Sequence, residues 1–167
     1  RIIYKLINTG NNFPMDRIDK KILDFLQTDA TLPVGDIAAR VGLSATPCWR
    51  RIRNLEKAGI IQRRVALLDP EKLNLGITVF VALKTSQHNY AWLKDFAKAV
   101  SGIDEVVEFY RMSGDTDYLL RIVVPDIAGY DAVYKRLIQA ADLSDVSSSF
   151  AMERIKYTTA LPLDYAG

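Results

Sequence analysis

Residues 33–58, PVGDIAARVGLSATPCWRRIRNLEKA, constrain this chain more than any other stretch. Val34, Ile37, Ala38 and Val41 recur at the i, i+3, i+4, i+7 spacing of an apolar helical stripe. Gly42 ends that helix, because glycine enters the left-handed conformation without a Cβ penalty. Ser44 offers a side-chain oxygen to cap a second helix, and Pro47 is tolerated because it falls in the first turn. Two short helices joined by a tight, Gly-containing turn have the layout of a helix-turn-helix.

The second of these helices carries the chemistry. At about 100° per residue, Cys48, Ile52 and Leu55 face inward, while Thr46, Arg50, Arg53, Asn54 and Lys57 gather on the opposite side. A solvated basic face would look the same in isolation. The preceding helix and the local charge favour a duplex instead. Residues 40–64 hold seven Lys/Arg against one acid, Glu56, a net of +6. Phosphates attract Lys and Arg, and base edges are read by Arg, Asn and Thr. The candidate DNA contacts are Ser44, Thr46, Arg50, Arg51, Arg53, Asn54 and Lys57. Arg50 and Arg53 lead, whereas Arg51, a quarter-turn round, grips the backbone or pairs with an acid. Trp49 flanks the inward side and is expected to pack against the first helix.

Total charge is only +2, but its distribution is lopsided. Residues 15–64 carry ten cations and six acids, and residues 65–167 carry ten and fourteen. A basic module followed by a mildly acidic one is the expected organisation. One cysteine excludes an internal disulfide, and one histidine leaves nothing from which to assemble a metal site. Cys48 reads as a small core residue, and His88, among Ser86, Gln87 and Asn89, as a solvated loop residue. No run of roughly 18 apolar residues is present to span a membrane. Residues 1–14, whose apolar run is too short and interrupted for a signal peptide, read as a leader ahead of a natural start at Met15. A cytoplasmic protein is expected.

Along the chain, residues 16–27 form a first helix, with Ile18, Ile22, Phe25 and Leu26 on one face and Asp16 as N-cap. Residues 60–65 read as a short strand or wing, from which Arg63 and Arg64 could reach flanking backbone. The DNA-binding domain then spans residues 15–66, with a linker over 67–76. Beyond it the period changes. Residues 77–85 alternate as a strand, 90–100 are helical, 106–112 and 118–124 are strands about a turn at 113–117, 127–141 are helical, and 148–158 close as a strand. The fold class is therefore α+β: a winged helix-turn-helix followed by a ferredoxin-like βαββαβ domain over residues 77–162, with both helices on one sheet face. The other face, with large residues at alternate positions, calls for a second copy related by two-fold symmetry.

These residues resemble a known family. IDKKILDFLQ, LPVGDIAARVGLSATPCWRRIRNLEKAGII and SGDTDYLLRIVVPD are similar to the Lrp/AsnC, or feast/famine, transcriptional regulators, from Met15 to about Pro162. VALLDPEKLNLG and SSFAMERIKYTTALPL look most like the subgroup that answers to cysteine, with leucine- and methionine-responsive members sharing much of the pattern. The leader departs from it. The resemblance implies an amino-acid-responsive C-terminal domain, dimers assembling into tetramers or octamers, and no cofactor beyond the effector, cysteine, leucine or methionine. It also implies an effector site lined by Met112, Ser113, Gly114, Asp115, Asp117 and Tyr118. Gly114 would let backbone amides approach a carboxylate, and Asp115 or Asp117 could pair with an α-ammonium. Ser147, Ser148 and Ser149 would add hydrogen bonds from a neighbouring subunit. Without the resemblance, the same Gly and Asp residues would be plain hairpin chemistry.

The expected function is a sequence-specific DNA-binding regulator whose assembly responds to a small amino acid, not an enzyme. An architectural DNA-binding protein without an effector is the alternative. A dimeric ferredoxin-like enzyme is the remoter one, since no nucleophile–base pair or phosphate-binding glycine loop is visible.

Overall fold

The computed structural model describes residues 13–87 and 89–166. Residues 1–12 of the leader and His88 lie outside the described residues. The chain divides into two compact units. The first takes in the N-terminal part through Ala66 and resumes at Lys156; the second is Leu67–Ile155.

The first unit is built from α1 (Arg17–Thr28), α2 (Val34–Val41) and α3 (Ala45–Lys57). Asp16 caps α1 by accepting from the amides of Ile18 at 2.8 Å and Asp19 at 2.9 Å. Asp19 returns a bond to the Asp16 amide at 3.2 Å, closing a capping box. Gly42 ends α2 at φ +74°, with its amide bonded to Ala39 O and the Leu43 amide to Ala38 O. The helices meet over Ile22, Leu23 and Leu26 of α1, Ile37 and Ala38 of α2, and Cys48, Ile52 and Leu55 of α3. Burial pushes the Cys48 thiol up, consistent with an inert core residue. Phe13 and Met15 pack against this cluster.

The tail completes the unit in a way no local sequence signal announces. Leu163 packs on the same core, and the Gln27 side-chain amide donates to Leu161 O at 3.1 Å and accepts from Leu161 N at 2.9 Å.

In the second unit, β1 (Ile77–Lys84), α4 (Tyr90–Ser101), β2 (Val106–Arg111), β3 (Tyr118–Val124), α5 (Ile127–Ala140) and β4 (Asp145–Phe150) follow one another. The strands lie in the order β2-β3-β1-β4, antiparallel throughout, which is the ferredoxin-like split. Asn89 and Asp126 cap the two helices through the amides of Trp92 and Gly129. Alternation puts Val79, Val81 and Leu83 of β1 and Leu120, Ile122 and Val124 of β3 against Phe96, Val100, Val133 and Leu137 of the helices. On the other face Phe80 and Tyr110 remain exposed, beside the Glu108–Arg121 ion pair.

Two expected strands differ. Residues 62–69 carry no strand, so the wing anticipated over 60–65 is not formed as one. The last strand is Asp145–Phe150, not 148–158. Its ladder on β1 pairs Val79 with Phe150, and one more bond joins the Ala151 amide to Thr78 O. β1 itself begins at Ile77, so its template ends there. The apolar residues beyond have the right composition for a strand but no partner strand among the described residues.

Candidate nucleic-acid interface and ligand turn

The solvent side of α3 is built by what its inner side buries. Cys48, Ile52 and Leu55 lie in the core, so the helical period turns Thr46, Arg50, Arg53, Asn54 and Lys57 outward, and all five are exposed. Ser44 occupies the N-cap position with extended backbone, yet its side chain makes no capping bond, contrary to expectation. Its hydroxyl is exposed instead, at the positive end of the helix dipole. Arg53 pairs with Glu56 at 2.8 Å, and Arg64 reaches the same carboxylate at 3.4 Å. Such exposed pairs contribute only a few tenths of a kcal/mol to about 1 kcal/mol, so parting Arg53 from Glu56 costs little.

Arg51 is placed differently from the other candidates. Its Nη1 lies 2.7 Å from Asp16 Oδ2 and 2.8 Å from Asp19 Oδ1, tying α3 to the capping box of α1. These bonds, the one to Asp19 foremost, raise the guanidinium pKa further. The Asp19 amide, with Arg51 behind it, holds the Asp16 carboxyl below its ordinary range. The D-x-x-D spacing of residues 16–19 signals the cap, and the same two carboxylates are the acids that Arg51 pairs with. Trp49 is not taken into the core: 54% of it is exposed, beside Val34 at the start of α2.

In the second unit, Met112, Ser113, Gly114 and Asp115 are exposed in the hairpin between β2 and β3. The Met112 amide donates to Asp117 O at 2.8 Å, closing the hairpin. Gly114 sits at φ +104°, a conformation that L side chains rarely adopt, so glycine is required there. Asp117 holds the hairpin to β1: its Oδ2 accepts from the Thr85 amide at 2.9 Å, and its own amide donates to Leu83 O at 3.0 Å. Thr85, buried, passes the connection on by donating to Asp142 O at 3.3 Å. This anchoring was not legible in sequence. Tyr118 lies in the core, its ring among Trp92, Phe96 and Phe109, where burial raises its pKa. Of the three serines, Ser148 turns inward and bonds Tyr130, leaving Ser147 and Ser149 on the outer side of β4.

Comparison with known proteins places both halves. Residues 15–62 match the family described as winged helix-turn-helix DNA-binding, and residues 78–161 match the Lrp/AsnC ligand binding domain. The DNA-binding transcriptional activator DecR of Escherichia coli K12 is 50% identical over 151 residues, covering 90% of this chain and 99% of that protein. An AsnC family transcriptional regulator from Agrobacterium tumefaciens superposes with a TM-score of 0.89 at 64% identity, over 91% of this chain and 99% of the other. A transcriptional regulator from Neisseria meningitidis, in complex with L-Met, gives 0.85 at 37% identity, over 90% and 97%.

Proposed function

Because this chain belongs to the Lrp/AsnC family of transcriptional regulators, we propose that α3 reads double-stranded DNA and that the 113–117 hairpin takes the amino-acid effector. The observation that carries the reading is the two-sidedness of α3, with three core residues behind and Thr46, Arg50, Arg53, Asn54 and Lys57 exposed in front. Arg50 and Arg53 are the principal contacts, Ser44 meets a phosphate at the helix N-terminus, and Thr46, Asn54 and Lys57 complete the face. Arg51 acts from behind, as a positioning residue that fixes how α3 stands on α1.

Two copies related by a two-fold axis cover the outer sheet face at Phe80 and Tyr110 and present two α3 helices to successive major grooves. Dimers assemble further into tetramers or octamers, with the effector at their contact. In the hairpin, Gly114 admits backbone amides to the effector carboxylate. Asp115, exposed in the hairpin, pairs with its ammonium, whereas Asp117 already has one oxygen on Thr85. The L-Met bound to the Neisseria relative supports an effector of methionine, leucine or cysteine size. Its influence on assembly is bounded by its differential affinity for the two states, typically about 1–3 kcal/mol. No helix among the described residues is long and apolar enough to cross a membrane.

A mobility-shift titration over a salt series tests the reader. Replacing Arg50 and Arg53 together by Ala weakens binding by about 1–3 kcal/mol for each base edge left unread, and lowers the salt slope by about 1 for each phosphate left without its cation. Unchanged affinity with unchanged slope overturns α3 as the reader. Thermal-shift screening against the standard amino acids tests the sensor, because a ligand of the folded state raises its apparent stability. An architectural protein with no effector shows no shift.

A further inference from the structure

An exposed tryptophan on a DNA-reading helix presents a large amphipathic ring where a partner approaches. Trp49 is 54% exposed. It forms a shallow, almost wholly apolar hollow with Val34, Ala45 and Thr46. Helical side chains lean toward the N-terminus, so the indole covers the first turn of α3. That is the end which approaches base edges in a helix-turn-helix. Arg53 follows Trp49 by four residues and Thr46 precedes it by three, so all three share one strip of surface. The hollow is thus continuous with the basic face and borders it on the α2 side.

Beyond the small C–H edges of the bases, the one apolar group that a base projects into the major groove is the 5-methyl group of thymine. We propose that Trp49, backed by Val34, takes a thymine methyl group and so distinguishes T·A from C·G at one position of each half-site. This rests on α3 being the reader. The occupant follows from the surroundings: cations beside the hollow draw the duplex in, and an apolar wall at the groove-facing turn has one apolar group on a base to meet. Thr46 adds its own methyl to the same wall. The specificity is independent of Arg50 and Arg53, which hold phosphates or purine edges.

The test begins with a duplex that the full-length chain selects from a randomised pool. Each thymine of it is replaced in turn by deoxyuridine, which removes the methyl group and nothing else. Binding is measured for the native chain, Trp49→Ala, Trp49→Phe and the Arg50→Ala/Arg53→Ala double variant. At one position per half-site, uracil weakens the native chain about three- to fivefold, the worth of one buried methyl group. Trp49→Ala binds the thymine duplex correspondingly more weakly and no longer responds to uracil there, and Trp49→Phe keeps part of the response. The inference is overturned if no uracil position affects the native chain, or if Trp49→Ala responds to uracil as the native chain does. When only that happens and the double variant is still impaired, α3 stands as the reader. A double variant that binds like the native chain removes the reader reading itself.

Discussion

Replacing Arg51 by Ala separates a residue that touches DNA from one that positions a neighbour. Arg51 is one quarter-turn from Arg50, but its guanidinium spans Asp16 at 2.7 Å and Asp19 at 2.8 Å. The Asp16 carboxylate is half exposed, so its share is only a few tenths of a kcal/mol. The Asp19 side chain is 9% exposed, and a charge-assisted bond to a carboxylate that water hardly reaches is worth about 1.5–3 kcal/mol. Asp19 keeps one partner, the Asp16 amide at 3.2 Å, which puts the loss near the lower end, about 2 kcal/mol. For a unit of this size that lowers the unfolding temperature by roughly 8–16 °C. Thermal unfolding at fixed protein concentration measures the loss, and hydrogen exchange at the α1 and α3 amides assigns it to this unit. The salt slope of DNA binding stays at its native value, because every phosphate keeps its cation. Unaltered stability together with a slope smaller by about 1 refutes the reasoning and puts Arg51 on the duplex.

Three further outcomes are expected. Asp117→Ala removes the acceptor for the Thr85 amide and destabilises the second unit by about 1–3 kcal/mol, whereas Asp117→Asn keeps an acceptor oxygen and recovers most of it; equal urea midpoints for the two variants would contradict the anchoring role. Arg121, then Tyr110, hold the Glu108 carboxyl below its ordinary value of 4.5. The stability this gives is complete above about pH 4.5 and is lost as pH falls through the folded-state value, so Glu108→Gln shows a shallower fall of urea midpoint with pH below 4.5. Deleting residues 156–167 removes Leu163 and both Leu161 bonds from the first unit, and trypsin sensitivity of α1 rises while the second unit resists as before.

The helices were legible because each satisfies several signals at once. In α1 the Asp16 cap and the apolar stripe agree, and in α2 the stripe and Gly42 agree. The sheet was legible where alternation runs long, as in β1 and β3, and its order followed from the βαββαβ succession. Residues 60–65 and 151–158 misled because apolar, β-branched composition says only that a residue would suit a strand. The ladder needs a partner, and no sequence-local signal supplies one. The candidate sites split in the same manner. Exposure of Thr46, Arg50, Arg53, Asn54 and Lys57 follows from a helical period, which is local. The ties of Arg51 to Asp16 and Asp19, of Asp117 to Thr85 and of Ser148 to Tyr130 join residues far apart in the chain, and composition is silent about them. Trp49 is more exposed than its place beside the stripe suggests, because a large aromatic at the border of a stripe suits either side.

The bonds between Gln27 and Leu161 join residues 134 positions apart. A ribosome delivers α1, α2 and α3 early and the segment that closes them last, after the whole sheet unit has emerged. The nascent chain therefore holds an unfinished helical bundle until Leu161 and Leu163 emerge, and any stop before them leaves its apolar seam open to chaperones and proteases.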